Sequence, residues 1–306
     1  MATYVPDVKT QRWVIIAPGR KFRPSESDLG ANLGAVRPDL SAIASAKVEV
    51  PLSGTKGCPF CAGNEGATPK EVYRIGGGES NMAGWHVRVV PNLYPITDTH
   101  EVIIHSPDDT KDVEDLPLEQ VTRILTAYRD RYRAHDADGQ VLIFCNHGLA
   151  AGASLKHPHS QLVVIPRQIN LDALYREPVA NVVEDNTYFY TYCPDFSQWP
   201  FEVWIAPKEE GSKFGDIEGE KLSDLAGVLQ RALIKIRLAQ RNGLVHSVHD
   251  KDVFVYNYYI YYGTNWYIRI TPRFIHRAGF ELGTGLSVNV VDPAQAARVL
   301  KTVLVS

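Results

Sequence analysis

Short runs of apolar residues predict several strands in the first third of the chain. The first run is Trp13–Ala17. Two more, His86–Val90 and Glu101–His105, are separated by the turn-forming segment Pro91–Pro95. Between the first and second strands, Ser25–Val48 is polar, rich in alanine and glycine, and weakly periodic. We therefore predict that Ser25–Val48 is a long excursion outside the core.

A helix with one apolar face is predicted next. Its apolar residues recur at steps of three and four: Leu118, Val121, Leu125, Tyr128 and Tyr132. The pair Asp138-Gly139 is typical of a segment end. Two apolar strands, Val141–Cys145 and Leu162–Ile165, then flank the segment Asn146–Gln161.

The second half of the chain repeats this order. A strand at Glu202–Ala206 is followed by a predicted helix that ends at Asn242-Gly243. The apolar face of that helix consists of Leu222, Leu225, Leu229, Leu233 and Ile236. Strands are predicted at Val253–Tyr256 and Trp266–Ile270. The repeated unit predicts an α+β fold with two duplicated halves, mainly antiparallel sheets with helices packed on them.

The two halves differ in chemistry. Each has a Pro-Arg pair after its last strand, at Pro166 and at Pro272. Counting back from this pair, the first half has His159 and Gln161 where the second has Asn265 and Tyr267. We therefore expect only the first half to be catalytic.

Composition and charge narrow the classes of partner. The chain has 306 residues, 44% of them hydrophobic, and a formal net charge of -3. It has no run of five basic residues, which argues against a broad nucleic-acid surface or a polybasic membrane patch. It also lacks a long apolar run and a signal-like N-terminus. We expect a cytoplasmic protein that binds neither nucleic acid nor membranes.

Two of the four cysteines, Cys58 and Cys61, form a Cys-Pro-Phe-Cys segment in a glycine-rich stretch. This spacing is typical of a metal site. A redox pair is the alternative, although the βαβ pattern of a thioredoxin-like unit does not surround these cysteines.

The segment Asn146–Gln161 carries the strongest chemical signal. Its glycines and Ser154 precede a histidine pair, and such a backbone can approach phosphate oxygens and donate N–H groups to them. In an extended segment His157, His159 and Gln161 point to one face, and Pro158 stiffens the piece between the histidines.

These residue types favour transfer between phosphates. A neutral imidazole attacks phosphorus well, and the resulting phosphoramidate can be discharged by a second phosphate. Glutamine can donate hydrogen bonds to phosphoryl oxygens but cannot move a proton near neutral pH. The pattern therefore matches nucleotidyl transfer better than hydrolysis by water.

At these residues the chain resembles the galactose-1-phosphate uridylyltransferase family of the histidine-triad superfamily, in which glutamine replaces the third histidine. The resemblance covers most of the chain. It rests on the cysteine pair, Gly19–Pro24, Pro91–Pro95, Asn146–Gln161, Trp199–Glu202 and Ala278–Gly285. It implies a catalytic histidine-triad-like half at 1–185 with a zinc site, and a degenerate half at 186–306 that contributes to the sugar pocket.

The resemblance also implies roles for single residues. His159 would carry the nucleotidyl group, and Gln161 would bond the transferring phosphoryl group. The implied substrate-binding residues are Arg20, Arg23, Asn92, Asn146, Gly152, Ser154 and Glu281. Within that set Asn146 and Ser154 would contact phosphates, Asn92 the base or ribose, and Glu281 the hexose. Relatives are dimers in which an arginine such as Arg20 reaches the partner, so a homodimer is expected.

By the same resemblance Cys58, Cys61 and His157 are similar to Zn²⁺ ligands. The fourth family ligand is a histidine, and this chain has Asp109 at that position, with His105 four residues earlier. A carboxylate still completes a tetrahedral set. We expect Asp109, rather than His105, to be the fourth ligand.

Three functions remain open at this point. The first, which we predict, is a hexose-1-phosphate uridylyltransferase that uses UDP-glucose and galactose-1-phosphate, and the other two are alternatives. The second is a phosphorylase similar to the ADP-glucose phosphorylase branch, with inorganic phosphate as acceptor, for which Ser160 in place of glycine is the indication. The third is a non-catalytic nucleotide-binding module.

Overall fold

The computed structural model describes residues 2–7, 12–23, 57–171 and 178–305. The predicted excursion Ser25–Val48 lies outside the described residues. The chain divides into two compact units. The first unit comprises 1–111, 126–143 and 154–172, and the second comprises 112–125, 144–153 and 173–306. The division into halves at residue 185 stays a prediction.

The first unit is built on antiparallel strands. Strands β1 (Thr3–Pro6) and β2 (Trp13–Ile16) form a two-stranded sheet. The next strands are β3 (Tyr73–Gly76), β4 (Trp85–Pro91) and β5 (His100–Ile104). They are followed by helix α1 (Leu118–His135), strand β6 (Gln140–His147) and strand β7 (His159–Ile165). Strands β3, β4, β5 and β7 are neighbours in that order, and each neighbouring pair is antiparallel.

Helix α1 and strand β6 each divide between the units, after Leu125 and after Ile143. Of the five residues predicted for the apolar face of α1, four are buried and Leu118, the first residue of the helix, is half exposed. The predicted end at Gly139 has a packing reason: a Cβ there would lie 2.6 Å from the carbonyl oxygen of Ile165. Only glycine fits this close approach.

The second unit has the same kinds of element. Its strands are β8 (Val182–Asp185), β9 (Phe189–Tyr192), β10 (Val203–Pro207), β11 (Tyr256–Ile260) and β12 (Ile268–Pro272). Helix α2 (Gly219–Arg241) lies between β10 and β11 in the chain, and helices α3 (Gly279–Thr284) and α4 (Pro293–Thr302) follow β12. The strands are antiparallel neighbours in the order β11-β12-β10-β9-β8. All five leucine and isoleucine positions predicted for the buried face of α2 are buried.

Two predicted strands are displaced along the chain. The strand predicted at Trp266–Ile270 is observed as β12, Ile268–Pro272. The sequence predicts a strand at Val253–Tyr256, whereas β11 begins at Tyr256 and continues to Ile260. Residues before it form a turn in which the Val253 N–H donates to the carbonyl of Asp250. The strand residues alternate between buried and half-buried, so tyrosine supplies the period-two pattern that the valines suggested.

The α+β class is confirmed, because both units combine helices with sheets of antiparallel strands. Across the described residues, no helix combines the length and apolar character needed to span a membrane.

Candidate active site

Strand β7 presents its two faces to different surroundings. All seven of its residues are buried. His159 and Gln161 line a cavity of about 190 Å³. Ser160, between them, is bonded on the other side to the buried His105, whose Nε2 lies 2.7 Å from the serine hydroxyl, and to Tyr128. The period of two along a strand thus separates the cavity-lining pair from a buried polar cluster.

The ring of His159 is held in one tautomer. Its Nδ1–H donates to the carbonyl of His157 at 2.8 Å, so the lone pair of the neutral ring is on Nε2. Burial, opposed by this hydrogen bond and reinforced by Arg23, lowers the pKa of His159 to about 4. The edge of Phe60 packs on the ring at 5.3 Å between centroids. A neutral, oriented imidazole is the form that attacks phosphorus.

Gln161 is oriented by a residue that the sequence analysis missed, His100. The N–H of Ile96 donates to His100 Nδ1 at 2.9 Å, and His100 Nε2 lies 3.0 Å from Gln161 Oε1. A neutral ring that accepts at Nδ1 carries its proton on Nε2, so His100 donates to Gln161. The alternation of β5 places His100 on the same face as Val102, which pairs with Gln161. Only the pairing of β5 with β7 brings His100 next to Gln161.

The cavity brings together five of the predicted residues, all in the first unit. They are Arg23, Asn92, Ser154, His159 and Gln161. Arg23 Nη2 donates to the Ser154 hydroxyl at 2.7 Å. Arg20 is close by in the chain, and its Nη1 donates to the carbonyl of Tyr94, another lining residue, at 2.7 Å. The cavity therefore combines an imidazole with amide, hydroxyl and guanidinium donors, which suits an anionic ligand.

Next to this cavity lies a group that can hold a metal ion. The ligand atoms of Cys58, Cys61 and His157 are all within 4.8 Å of one another. His157 Nε2–H donates to the carbonyl of Ser106 at 2.8 Å, so the lone pair of the neutral ring is on Nδ1. Nδ1 lies 3.6 Å from Cys58 Sγ and 3.7 Å from Cys61 Sγ. Such a hydrogen bond from the second ring nitrogen to a carbonyl is usual for metal-binding histidines.

The distances fit a tetrahedral ion. With a metal–sulfur bond of about 2.3 Å and a metal–nitrogen bond of about 2.0 Å, tetrahedral ligand atoms lie about 3.5 Å apart. Asp109 Oδ2 is 3.6 Å from Cys61 Sγ, beside this group of three but not within 4.8 Å of all its ligand atoms. Burial together with Cys58 and Asp109 raises the pKa of the Cys61 thiol to about 12, an effect that a bound divalent cation offsets. His105, by contrast, turns its Nε2 to Ser160.

The remaining predicted residues belong to the second unit. Asn257 Nδ2–H donates to Asn146 Oδ1 at 2.8 Å and to the carbonyl of Ala151 at 2.9 Å. Gly152 has φ +89°, a backbone conformation that favours glycine. Glu281 is in α3, where its Oε2 accepts from the N–H of Ala278 at 2.9 Å. Asn257, like His100, was not singled out by the sequence.

Comparisons with known proteins identify relatives. Residues 95–164 match the sequence profile described as galactose-1-phosphate uridyl transferase, N-terminal domain. ADP-glucose phosphorylase of Arabidopsis thaliana is 30% identical, over 97% of this chain and 92% of its own length. Galactose-1-phosphate uridylyltransferase of Thermotoga maritima is 25% identical, over 66% of this chain and 73% of its own. The crystal structure of an Arabidopsis thaliana ADP-glucose phosphorylase with bound ADP-glucose superposes with a TM-score of 0.69 at 26% identity, covering both chains completely.

These findings confirm the resemblance drawn from the histidine and cysteine motifs, and they favour an enzyme over a non-catalytic binding module. The matched segment begins three residues after Asn92 and ends within β7, so it includes His159 and Gln161. The chain therefore belongs to the galactose-1-phosphate uridylyltransferase family and is an enzyme that transfers nucleotidyl groups.

Proposed function

We propose that the protein is a nucleotide-sugar phosphorylase that acts on ADP-glucose through a covalent His159 intermediate. The observation that carries the chemistry is the fixed tautomer of His159, which places a lone pair on Nε2 of a neutral ring. The choice of ADP-glucose rests on the relative of 30% identity that spans nearly the whole chain, and on the fold shared with an ADP-glucose-bound enzyme.

The reaction proceeds in two displacements. His159 Nε2 attacks the α-phosphorus of ADP-glucose, and the bond from that phosphorus to the bridging oxygen breaks, which releases glucose-1-phosphate. Inorganic phosphate then attacks the same phosphorus, the Nε2–phosphorus bond breaks, and ADP leaves. Both leaving groups are stable without protonation, so a glutamine neighbour that moves no proton is sufficient.

Other residues bind the substrate and stabilise the transferring phosphoryl group. The Gln161 amide donates to the transferring phosphoryl group, and Arg23 and Ser154 supply further donors in the same cavity. Asn92 also lines the cavity, and we assign it to the base or ribose, as the family resemblance implies. We assign Asn146 to the binding of phosphates, Glu281 to the hexose, and Arg20 and Gly152 to substrate binding, as the family resemblance implies.

Zn²⁺ is proposed as a structural ion held by Cys58, Cys61, His157 and Asp109. When bound, it would cross-link the cysteine loop to the segment just before β7. It would hold His157 at Nδ1, while Nε2 donates to Ser106 and the His157 carbonyl accepts from His159. We also propose that the protein works in the cytoplasm, where thiols such as those of Cys58 and Cys61 stay reduced.

A homodimer is also proposed. Several large apolar side chains in and after α3 are exposed, among them Leu282 at 81% and Val290 at 67%, together with Phe280 and Leu286. Large exposed apolar side chains of this kind are typical of a surface that another chain covers. Light scattering after size-exclusion chromatography is expected to give the mass of two chains, and the mass of one chain would remove the proposal.

A second candidate function is uridylyl transfer from UDP-glucose to galactose-1-phosphate, because a galactose-1-phosphate uridylyltransferase aligns with 66% of the chain. One experiment separates the two enzymes. Purified protein is incubated with ADP-glucose or with UDP-glucose without acceptor, and the modified peptide is mapped by mass spectrometry. We expect AMP on His159, and its release as ADP on addition of inorganic phosphate. UMP on His159, discharged by galactose-1-phosphate, would establish the uridylyltransferase, and turnover without any adduct would refute covalent transfer.

A further inference from the structure

His100 is a buried histidine, 4% exposed, that is not among the residues lining the cavity but contacts two that are, Gln161 and Asn92. It opens β5, next to the catalytic strand. We propose that His100 is a positioning residue that holds the Gln161 amide in one orientation, with its oxygen toward His100 and its nitrogen toward the transferring phosphoryl group. The proposal deepens the proposed function and rests on it, since it concerns the same cavity.

The tautomer of His100 follows from its two neighbours. The Ile96 N–H can only donate, so His100 Nδ1 is the acceptor in that hydrogen bond of 2.9 Å. Burial lowers the pKa of His100 to about 4, which keeps the ring neutral and its single proton on Nε2. Two side chains are in reach of Nε2, Gln161 at 3.0 Å and Asn92 at 3.1 Å.

Of these two side chains Gln161 alone offers an oxygen. Asn92 Oδ1 already accepts from the Tyr94 N–H at 2.8 Å, so Asn92 turns its nitrogen toward His100. The proton of His100 therefore goes to Gln161 Oε1. A flipped Gln161 would leave that proton facing two amide nitrogens, Asn92 Nδ2 at 3.1 Å and Gln161 Nε2 at 3.0 Å, and neither can accept it.

The orientation matters because a glutamine amide is nearly symmetric in shape and opposite in polarity at its two ends. With its nitrogen toward the cavity, Gln161 donates to a phosphoryl oxygen. With its oxygen there, it repels the same oxygen. A donor that is already oriented costs no reorganisation during the reaction, and this preorganisation is a main source of electrostatic stabilisation.

The second unit uses the same arrangement at another predicted phosphate ligand. The oxygen of Asn146 accepts from Asn257 Nδ2 at 2.8 Å, so the Asn146 nitrogen is left as the donor. In both cases an amide that the family resemblance assigns to phosphate has its oxygen occupied by a neighbouring donor.

The test uses two matched variants. The end of an asparagine side chain occupies the place of Nδ1, so His100→Asn keeps an acceptor for the Ile96 N–H and loses the contact with Gln161. The end of a glutamine occupies the place of Nε2, so His100→Gln restores a donor to Gln161. The measured quantities are the rate of His159 nucleotidylation in a single turnover at saturating ADP-glucose, and the Kd of the donor.

We expect His100→Asn to slow nucleotidylation by roughly 10-fold with little change in Kd, and His100→Gln to recover most of the rate. Because His100 acts through Gln161, His100→Asn added to Gln161→Ala should slow the reaction no further than Gln161→Ala alone. Two results would instead assign His100 a general structural role. One is a double variant whose loss of rate is the product of the two single losses, and the other is a loss of rate in His100→Gln equal to that in His100→Asn.

A readout on the unmodified protein is independent of catalysis. The ¹⁵N chemical shifts of His100 at pH 7.5 should show a protonated Nε2 and an unprotonated Nδ1. The opposite tautomer would overturn the proposal even if His159 carries the nucleotide. If instead the wild type forms no adduct but shows the expected tautomer, the proposed function fails while the orientation of Gln161 stands.

Discussion

Two equivalent stretches of the chain, one in each unit, show how a duplicated fold divides its tasks. Seven and five residues before the shared Pro-Arg pair, the first unit has His159 and Gln161, and the second has Asn265 and Tyr267. Tyr267 is fully buried and stacks on Trp204 at 3.9 Å between ring centroids. Asn265 adopts a φ of +59° and its Oδ1 accepts from the Gly211 N–H. The same positions line a cavity in one unit and form core and turn in the other.

The difference has an energetic meaning. Burying an imidazole and an amide costs free energy unless each is hydrogen-bonded. In the first unit the His159 ring donates to the His157 carbonyl, and the Gln161 oxygen accepts from the His100 ring. Burying stacked aromatic rings is favourable without any partner. The first stretch therefore maintains a reactive cavity, whereas the second stabilises its unit.

The largest contrast is expected for activity. His159→Ala should remove the covalent adduct and reduce turnover by at least ~10³-fold, because it removes the nucleophile. Asn265→Ala, the matched change in the second unit, should alter the turnover of folded protein by less than about 3-fold. Steady-state assays of glucose-1-phosphate release check both variants. Equal losses would show that the two stretches share the chemistry.

For stability the contrast should reverse. Tyr267→Ala removes a buried ring from the stack with Trp204 and Tyr261, and such truncations cost roughly 3–5 kcal/mol of unfolding free energy. His159→Ala deletes a side chain beside an existing cavity and should cost well under half of that. Urea denaturation of both variants measures the difference. A His159→Ala variant that is as unstable as Tyr267→Ala would contradict the division of tasks.

The sequence predicted the parts of this picture that depend on local pattern. The helix faces, most strands and the histidine motif follow from periodicity and residue type. His100 and Asn257 could not be predicted, because each acts through a residue on a different strand or loop, and that pairing is not written in local sequence. The displaced strand β11 shows the same limit: valines before Tyr256 and tyrosines after it are equally good strand formers.

The metal group sharpens the comparison further, since within the described parts of the chain the only cluster with suitable ligand atoms lies in the first unit. Asp109→Ala should lower zinc affinity by at least ~10-fold, because even residues that merely support a ligand cost 10–100-fold when removed. His105→Ala should leave the affinity near that of the wild type and lower the melting temperature, because it disrupts the bonds to Ser160 and Tyr128. Chelator competition gives the affinities, and the reverse pattern would make His105 the ligand.

The smallest expected effect concerns acid. The first stretch rests on histidines that titrate near pH 6.5 when unfolded, whereas the aromatic stack around Tyr267 has no group that titrates in that range. Burial lowers the pKa of His100 to about 4 in the folded protein. Between about pH 6.5 and pH 4 the unfolded state therefore binds the proton and the folded state does not, so stability falls as the pH falls.

For His100 alone this linkage amounts to about 1 kcal/mol between pH 7.5 and pH 5.5. His100→Gln has no titrating ring, so its unfolding free energy should fall less than that of the wild type over this interval, by about that amount. Tyr267→Phe, which keeps every histidine, should fall as much as the wild type. Urea denaturation at both pH values measures the three slopes. If the His100→Gln variant is as acid-sensitive as the wild type, the pKa of His100 is the same in the folded and unfolded states. Burial would then not hold this ring neutral.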